Sequence, residues 1–458
     1  MSAFFARQSV RARSLLLAMA VVAPAASAQR SAALAVSATL ADVPDGWGFD
    51  PAVDEPCAAT VVRRETLRDS TGALLYVAPD VVLARDGELL LAGHASARFP
   101  LGANGLTLDD TSSAFVAVLR SVDGRVRTFA APPALTGASL RDLRAVALPN
   151  RRWGVLFFNE TTHPQRAVRA TNDSLWFGIL GPTGWEQVEP LPVPADVRLY
   201  LPVAQPMQMR GNTIAAAVPA ERVGSGSGVL LLERTDATWR TRFLPTFSIA
   251  YAGLAFAGDT GALRLLAVHA NPDPMPGSRS SNELYLYDPD RMGSSRTRLL
   301  VFPTLPARAA HHPTMLSVGN AMSIAWLARD RSDSLARQVP THLLVRDGVV
   351  QPPITLGERA DRVLSVPAGP EQVHVLTAHN SHVDTVQVDI RTLPALSRGV
   401  RLRHATTFAE VFGAGRWNDS TVVVTLLRGT TLEATSIATE VFWIKAQCSS
   451  KPEGSRVP

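Results

Sequence analysis

Apolar residues along this chain come in short runs separated by turn-forming residues, and they do not recur at helical spacing over any long capped window. The clearest unit begins at Asp80. Val81-Val82-Leu83-Ala84 leads to a turn at Asp86-Gly87, Leu89-Leu90-Leu91-Ala92 leads to a polar loop, and Ala114 to Leu119 reaches a second turn at Asp123-Gly124 before Val126 to Phe129. Asp-Gly between apolar runs is a strong hairpin signal, because both residues tolerate the positive φ of a tight turn. The unit reads as a four-stranded antiparallel meander.

Comparable units follow. Leu143 to Leu148 turns at Pro149-Asn150 into Trp153 to Phe158, and Ser174 to Leu180 turns at Gly181-Pro182-Thr183-Gly184 into Trp185 to Val188. Val203 to Met209 pairs with Thr213 to Val218, and Gly228 to Glu233 with Trp239 to Leu244; further units begin near Ile249, Pro313, Arg362 and Phe408. The period is loose, roughly 47 to 63 residues, close to or somewhat above the blade-sized periods of propellers. Seven four-stranded antiparallel sheets in succession predict an all-β, seven-bladed β-propeller; six or eight blades would follow if one irregular unit is split or merged.

The last unit is one strand short. Ala409 to Phe412, Thr421 to Leu427 and Ser436 to Ile444 leave no fourth strand before the end, whereas Ala59 to Leu67 is a strand with no unit of its own. An N-terminal strand in the last blade would close the ring and remove its exposed edge. The only two cysteines, Cys57 and Cys448, flank these two segments. Pairing the segments brings the cysteines close, which favours a disulfide in an exported chain, with two unpaired thiols as the alternative. A bridge over so long a loop could contribute up to roughly 5 kcal/mol in the chain-entropy model.

Export itself is read from the N-terminus. Arg7, Arg11 and Arg13 precede an apolar run from Leu15 to Ala26, and Ala26-Ser27-Ala28 then offers a cleavage site before Gln29. This is the order of a secretory signal peptide over residues 1–28, and the run is shorter than the roughly 20 residues of a membrane span. An uncleaved anchor is the minority alternative. The expected organisation is a signal peptide at 1–28, a linker at 29–56, the propeller at 57–448 and a polar tail at 449–458, in a secreted or periplasmic monomer with no membrane span after cleavage.

Composition narrows the partners. The formal charge of +5 includes the three signal-peptide arginines, so the mature chain carries about +2, and its arginines are dispersed among Asp and Glu rather than forming the stripe of a nucleic-acid binder. With 46% hydrophobic and 19% charged residues, the body of the chain is expected to fold. Lys445 and Lys451 are the only lysines, a composition that looks bacterial, so the sequons at Asn172-Asp173-Ser174 and Asn418-Asp419-Ser420 carry little weight.

In a propeller, the loops after each second strand and the links between blades emerge on one face. The second-strand exits supply His94, Asn159-Glu160, His163, Glu221-Arg222, His269, Asn271, Arg329-Asp330, His379-Asn380 and His382. The links add Arg141, Asp142, Arg198, Tyr200, Tyr251, His311, His312, Asp361 and His404, so eight of the ten histidines fall on one rim. His, Glu, Asp and Asn gathered there could bind a sugar, an anion or a metal, or act as acids, bases or ligands. His94, Asn159, Glu160, His269, His311, His312, His379 and Asn380 are the expected ligand-binding set; any one alone is explained by polar residues belonging in loops. His342 and His374 fall inside predicted strands and read as structural.

Local motifs contribute little. Gly224-Ser225-Gly226-Ser227-Gly228 lacks the P-loop lysine and places Gly226 where a nucleophile elbow needs serine, so it reads as a hairpin loop. No His-Glu-x-x-His or acidic calcium loop is present, and neither a metal nor another cofactor is expected.

Gly181-Pro182-Thr183-Gly184-Trp185 and Thr235-Asp236-Ala237-Thr238-Trp239 resemble the end of the Asp-box of sialidase-like propellers, though neither has the full Ser-x-Asp-x-Gly-x-Thr-Trp form. The resemblance extends to blade organisation over 57–448 and implies carbohydrate chemistry. The family uses an arginine triad, a tyrosine paired with glutamate, and an aspartic acid. Tyr200, Tyr251 and Glu160 are on the predicted rim, but no residue matches a catalytic motif closely enough to inherit a role. The favoured expectation is an exported binding or scaffold module that presents its His-rich face to a glycan or an extracytoplasmic protein. The alternative is a carbohydrate-active enzyme, a glycoside hydrolase or polysaccharide lyase.

Overall fold

A computed structural model describes the chain between residues 56 and 448, apart from most second-to-third strand loops (including 96–100, 107–113, 160–174, 270–282, 331–337, 381–384 and 430–436) and several shorter connections. The expected signal peptide, nearly all of the linker, and the tail lie outside the described residues. No helix among the described residues is long and apolar enough to cross a membrane.

Seven antiparallel sheets follow one another in chain order. Blade 1 contains Val77–Arg85, Glu88–Ala95, Ala114–Arg120 and Val126–Ala130; blade 2 contains Leu140–Leu148, Arg152–Asn159, Leu175–Gly181 and Gly184–Pro190. In blade 3 the first position is divided between Val197–Leu199 and Met207–Arg210, followed by Thr213–Arg222, Gly226–Thr235 and Thr238–Pro245. Blade 4 is Ile249–Phe256, Leu263–His269, Glu283–Tyr287 and Arg296–Val301. Blade 5 is Arg308–Val318, Ala321–Asp330 and Gln338–Arg346, with an outer position broken into Val349–Val350 and Ile354–Thr355. Blade 6 is Arg362–Pro367, Val373–Asn380, Thr385–Leu393 and Val400–Ala405, and blade 7 begins with Phe408–Asn418, Thr421–Gly429 and Ile437–Lys445.

The fourth strand of blade 7 is Val61–Thr66, antiparallel to Ile437–Lys445, so the N-terminal strand completes the last blade as expected. Just before it, Cys57–Ala58 adds a short parallel pairing on the outer strand of blade 6, opposite Val400 and Arg401. The chain start therefore straps two blades together. Cys57 and Cys448 form a disulfide across 391 residues of sequence, with Cα atoms 6.0 Å apart.

Strand alternation explains the packing. Successive side chains point to opposite sides of a blade, so Trp153, Val155 and Phe157 enter the core between blades 1 and 2 while Leu156 and Phe158 enter the one between blades 2 and 3. Likewise Ala325 and Leu327 face blade 6 while Ile324 and Trp326 face blade 4. Both sides of each blade are covered, which is why the central strands read as unbroken apolar runs. The first strands of neighbouring blades touch one another around the ring and form its inner wall. At the seam this approach requires glycine: a Cβ on Gly413 would lie 2.6 Å from Val82 Cγ2, and one on Gly415 would lie 2.8 Å from the Ala84 nitrogen.

Turn chemistry sets the hairpins. Asp86 and Gly87, Asn150 and Arg151, and Asp236 and Ala237 all have positive φ, as two-residue type I′ turns require. The blade 5 strand begins at Arg308 rather than near Pro313, because a register shift between His311 and Thr314 accommodates the proline inside the strand.

The seam between blades 7 and 1 carries a charged group inside an aromatic bed. Arg120 of blade 1 is 1% exposed and lies 5.0 Å from the Trp443 ring and 5.6 Å from that of Trp417, both in blade 7. Its Nε donates to Glu65 Oε2 at 2.7 Å, and Glu65 belongs to the N-terminal strand. Breaking such a pair strands a buried charge, a penalty reduced here because Glu65 remains 25% exposed. Glu65→Gln is expected to lower stability by about 2–3 kcal/mol, whereas Glu186→Gln, in an exposed pair of blade 2, should change it by less than about 1 kcal/mol. Equilibrium urea unfolding of the oxidised protein checks both; equal effects would remove the special role assigned to the seam.

Candidate functional site

Within each blade the first-to-second and third-to-fourth turns emerge on one face, the turn face, and the second-to-third loops and inter-blade links on the other, the loop face. His94, Asn159, His269, His379 and Asn380 lie at or next to the loop-face ends of second strands in blades 1, 2, 4 and 6. His311 and His312 are not in a link: they sit within the first strand of blade 5, beside its register shift and toward the loop face. Tyr251 likewise lies within the first strand of blade 4. Glu160, His163, Tyr200, Asn271 and His382 lie outside the described residues.

Two of the expected rim residues meet. Asp361 immediately precedes the first strand of blade 6, and its backbone N–H donates to the Ala378 carbonyl at 2.7 Å, which holds it beside His379. Asp361 Oδ2 lies 3.0 Å from His379 Nδ1, and the two side chains are 35% and 28% exposed. With Nδ1 directed at a carboxylate, Nε2 is the ring atom left to meet a ligand, as an acceptor when the imidazole is neutral and a donor when it is charged. The polar row continues across the blade. Gln387 is the register partner of His379, and Arg403 that of Gln387, with Arg403 Nε donating to Gln387 Oε1 at 3.4 Å.

Other rim residues serve the fold. Asn159 is buried, and its Oδ1 has no hydrogen-bond partner among the described residues. His404 of blade 6 lies 3.3 Å from Glu440 of blade 7, which also accepts from Arg64 of the N-terminal strand at 2.8 Å. That cluster joins three chain segments at the closure. No group of three or more His, Cys, Asp or Glu side chains is arranged to hold a metal among the described residues.

Two clefts lie on the opposite, turn face, between blades 1 and 2, with volumes of about 380 and 240 Å³. They share Glu88 and Arg151, and Arg151 Nε donates to the buried Glu88 carboxylate at 2.8 Å. In sequence they are marked only by turns, among them the Asn150-Arg151 pair, which places an arginine at a turn position normally given to glycine.

The two Asp-box-like segments are third-to-fourth turns, and their tryptophans reach back to the preceding blade. Trp185 Nε1 donates to the Ala130 carbonyl at 2.9 Å and Trp239 Nε1 to Glu189 Oε1 at 3.0 Å. Both acceptors lie on an outer strand, so these residues act as staples between blades.

His342 and His374 are buried in strands, bonded to the Ser323 and Thr392 hydroxyls at 2.9 and 3.0 Å. Burial pushes each from 6.5 down to about 4, with Arg416 adding to the effect at His374.

No protein-family model and no curated protein matches the chain. Solved structures do. The propeller domain of the Trilobed protease from Pyrococcus furiosus has a TM-score of 0.46 and 9% identity, covering 81% of this chain and 95% of that one. The phage phi92 endosialidase has a TM-score of 0.43 and 9% identity over 86% and 70% of the two chains. The N11 neuraminidase-like protein of a flat-faced bat influenza virus has a TM-score of 0.39 and 10% identity over 88% and 97%. The chain thus resembles neuraminidase-like and endosialidase propellers, and none of its residues takes a role from them.

Between pH 6.5 and about 4 the unfolded chain binds more protons at His342 and His374 than the folded chain does, so their contribution is complete above 6.5 and is lost as pH falls toward 4. The urea midpoint should therefore drop between pH 7 and 5, and His342→Gln should flatten that slope whatever its effect at pH 7. An unchanged slope would contradict the assignment.

Proposed function

We propose that this protein is an exported binding module that takes a glycan or a partner protein on its loop face, with the Asp361–His379 pair of blade 6 among the contacting groups. The observation that carries the reading is that pair, which presents an oriented, partly exposed imidazole at the loop-face end of blade 6. A carboxylate-held histidine beside Gln387 and Arg403 offers several hydrogen-bonding groups in one row, the kind of surface that suits a polyhydroxylated ligand. The disulfide supports export, since such bonds persist in oxidising compartments. The N-terminal signal-peptide reading agrees with it.

The test is an array of neutral, uronic-acid-containing and sialylated oligosaccharides probed with the oxidised protein, followed by titration of the best binder. His379→Gln and Asp361→Asn are expected to weaken binding about tenfold each, equivalent to about 1.4 kcal/mol, while the urea midpoint stays close to that of wild type. Binding untouched by both variants would overturn the role of the pair, and release of new reducing ends or unsaturated sugars would establish the carbohydrate-active alternative instead.

A further inference from the structure

The side of blade 6 that faces blade 5 is apolar only in part. Val363, Val373, Val375 and Leu393 pack there against Ala325, Leu327, Leu356 and Ala360 of blade 5. Residues paired directly across an antiparallel sheet share a side. Arg391, the partner of Val375, and Asp389, the partner of Thr377, therefore face blade 5 as well. From the other side, His342 of blade 5, which pairs with Ala325, faces blade 6 across the same interface, and burial keeps it neutral near physiological pH.

Arg391 is 7% exposed, yet its side chain makes no hydrogen bond or ion pair among the described residues, and its Nε is buried without an acceptor. The carboxylate of Asp389, which acts on its charge, is already engaged. Asp389 Oδ1 accepts from Arg401 Nε at 2.7 Å, and Oδ2 accepts from Arg401 Nη2 at 2.9 Å and from Gln387 Nε2 at 3.2 Å. Asp389 is thus taken up by Arg401, and among the described residues the Arg391 charge is left without an ion-pair partner. Burial lowers the Arg391 pKa, Asp389 raises it and Arg401 lowers it further. Beside Arg391 the outer strand opens at Gly399, where a Cβ would lie 3.2 Å from Arg391 Cγ and 3.1 Å from the Ile390 carbonyl oxygen. A largely buried guanidinium with an unsatisfied Nε is unfavourable unless an anion meets it, and a guanidinium is suited to bidentate pairing with an oxyanion.

We infer that Arg391 belongs to an anion site between blades 5 and 6 that takes a small oxyanion of the size of sulfate, phosphate or acetate. The site goes beyond the proposed loop-face reading. It lies about 13 Å along the sheet from the His379 row, four residues at 3.3 Å each, and under the strap where Cys57 donates to the Gly399 carbonyl at 2.9 Å. An anion there would neutralise the Arg391 charge and hold the strapped edge of blade 6.

The test is thermal unfolding of the oxidised protein in dilute Tris chloride, titrated separately with sodium sulfate, phosphate and acetate against sodium chloride at matched ionic strength. Wild type should show a saturable rise in Tm of about 2 °C or more with at least one oxyanion. Arg391→Met should lack that saturable component, and in dilute buffer should melt at or above wild type because its unpaired charge is gone. If the Met variant does not fold, Arg391→Lys carries the comparison by calorimetric titration, with at least threefold weaker binding of the same anion expected. A wild type that responds no more than to chloride, or an equal response in the variants, would overturn the site. Glycan binding without an anion response, or the reverse, separates this site from the loop-face reading.

Discussion

A ring of sheets is only as closed as its last interface, and in this protein that interface must join residues from opposite ends of the chain. Val61–Thr66 supplies the outer strand of blade 7, Cys57 is bonded to Cys448, and Glu65 accepts from Arg120 between the rings of Trp417 and Trp443. Each device acts at a different level: backbone hydrogen bonds remove the free edge, the disulfide restricts the unfolded chain, and the ion pair ties the N-terminal strand to blade 1. Without that seam the two-sided burial of blades 1 and 7 would end at an open apolar face. Thr439 completes it, since its buried hydroxyl both donates to the Val77 carbonyl and accepts from the Val77 N–H.

Because both sides of each blade are buried, polar chemistry is confined to the rims, the outer strands and a few interfacial positions. On the outer strands and at the turn-face ends of the first and second strands it is used repeatedly to hold neighbours together. Trp185 reaches Ala130, Trp239 reaches Glu189, Arg85 reaches the Leu148 carbonyl and Arg151 reaches Glu88, each bond spanning 50 to 63 residues, about one repeat. These contacts add hydrogen bonds where the apolar cores thin out. The interface between blades 5 and 6 differs, because the outer position of blade 5 is broken into two short pieces and blade 6 answers with Asp389, Arg391 and Arg401.

The Asp361–His379 pair and the Arg391 site share one side of blade 6 but differ in character. The first is partly open and built from an oriented imidazole, so it can meet a ligand from the loop face. The second is nearly sealed and holds an uncompensated charge. One blade can therefore present a ligand-facing edge while its interior charge is managed separately.

The seven-unit repeat, the strand pairing across Asp86-Gly87, the N-terminal strand of blade 7 and the joining of Cys57 to Cys448 were all legible in the sequence. These follow from local rules: period-two burial, positive φ at turns, and the count of strands and cysteines. The pairing of Asp361 with His379, 18 residues apart, needed the register of two strands. His311 and His312 read as link residues because Pro313 marks an apparent strand start, and only the tertiary register shows a strand continuing through it. Arg391 looks in sequence like one more dispersed arginine, and Arg120 like an ordinary strand end. Their burial and their partners depend on which blade lies opposite, a relation that periodicity along one chain does not encode and that closure of the ring decides.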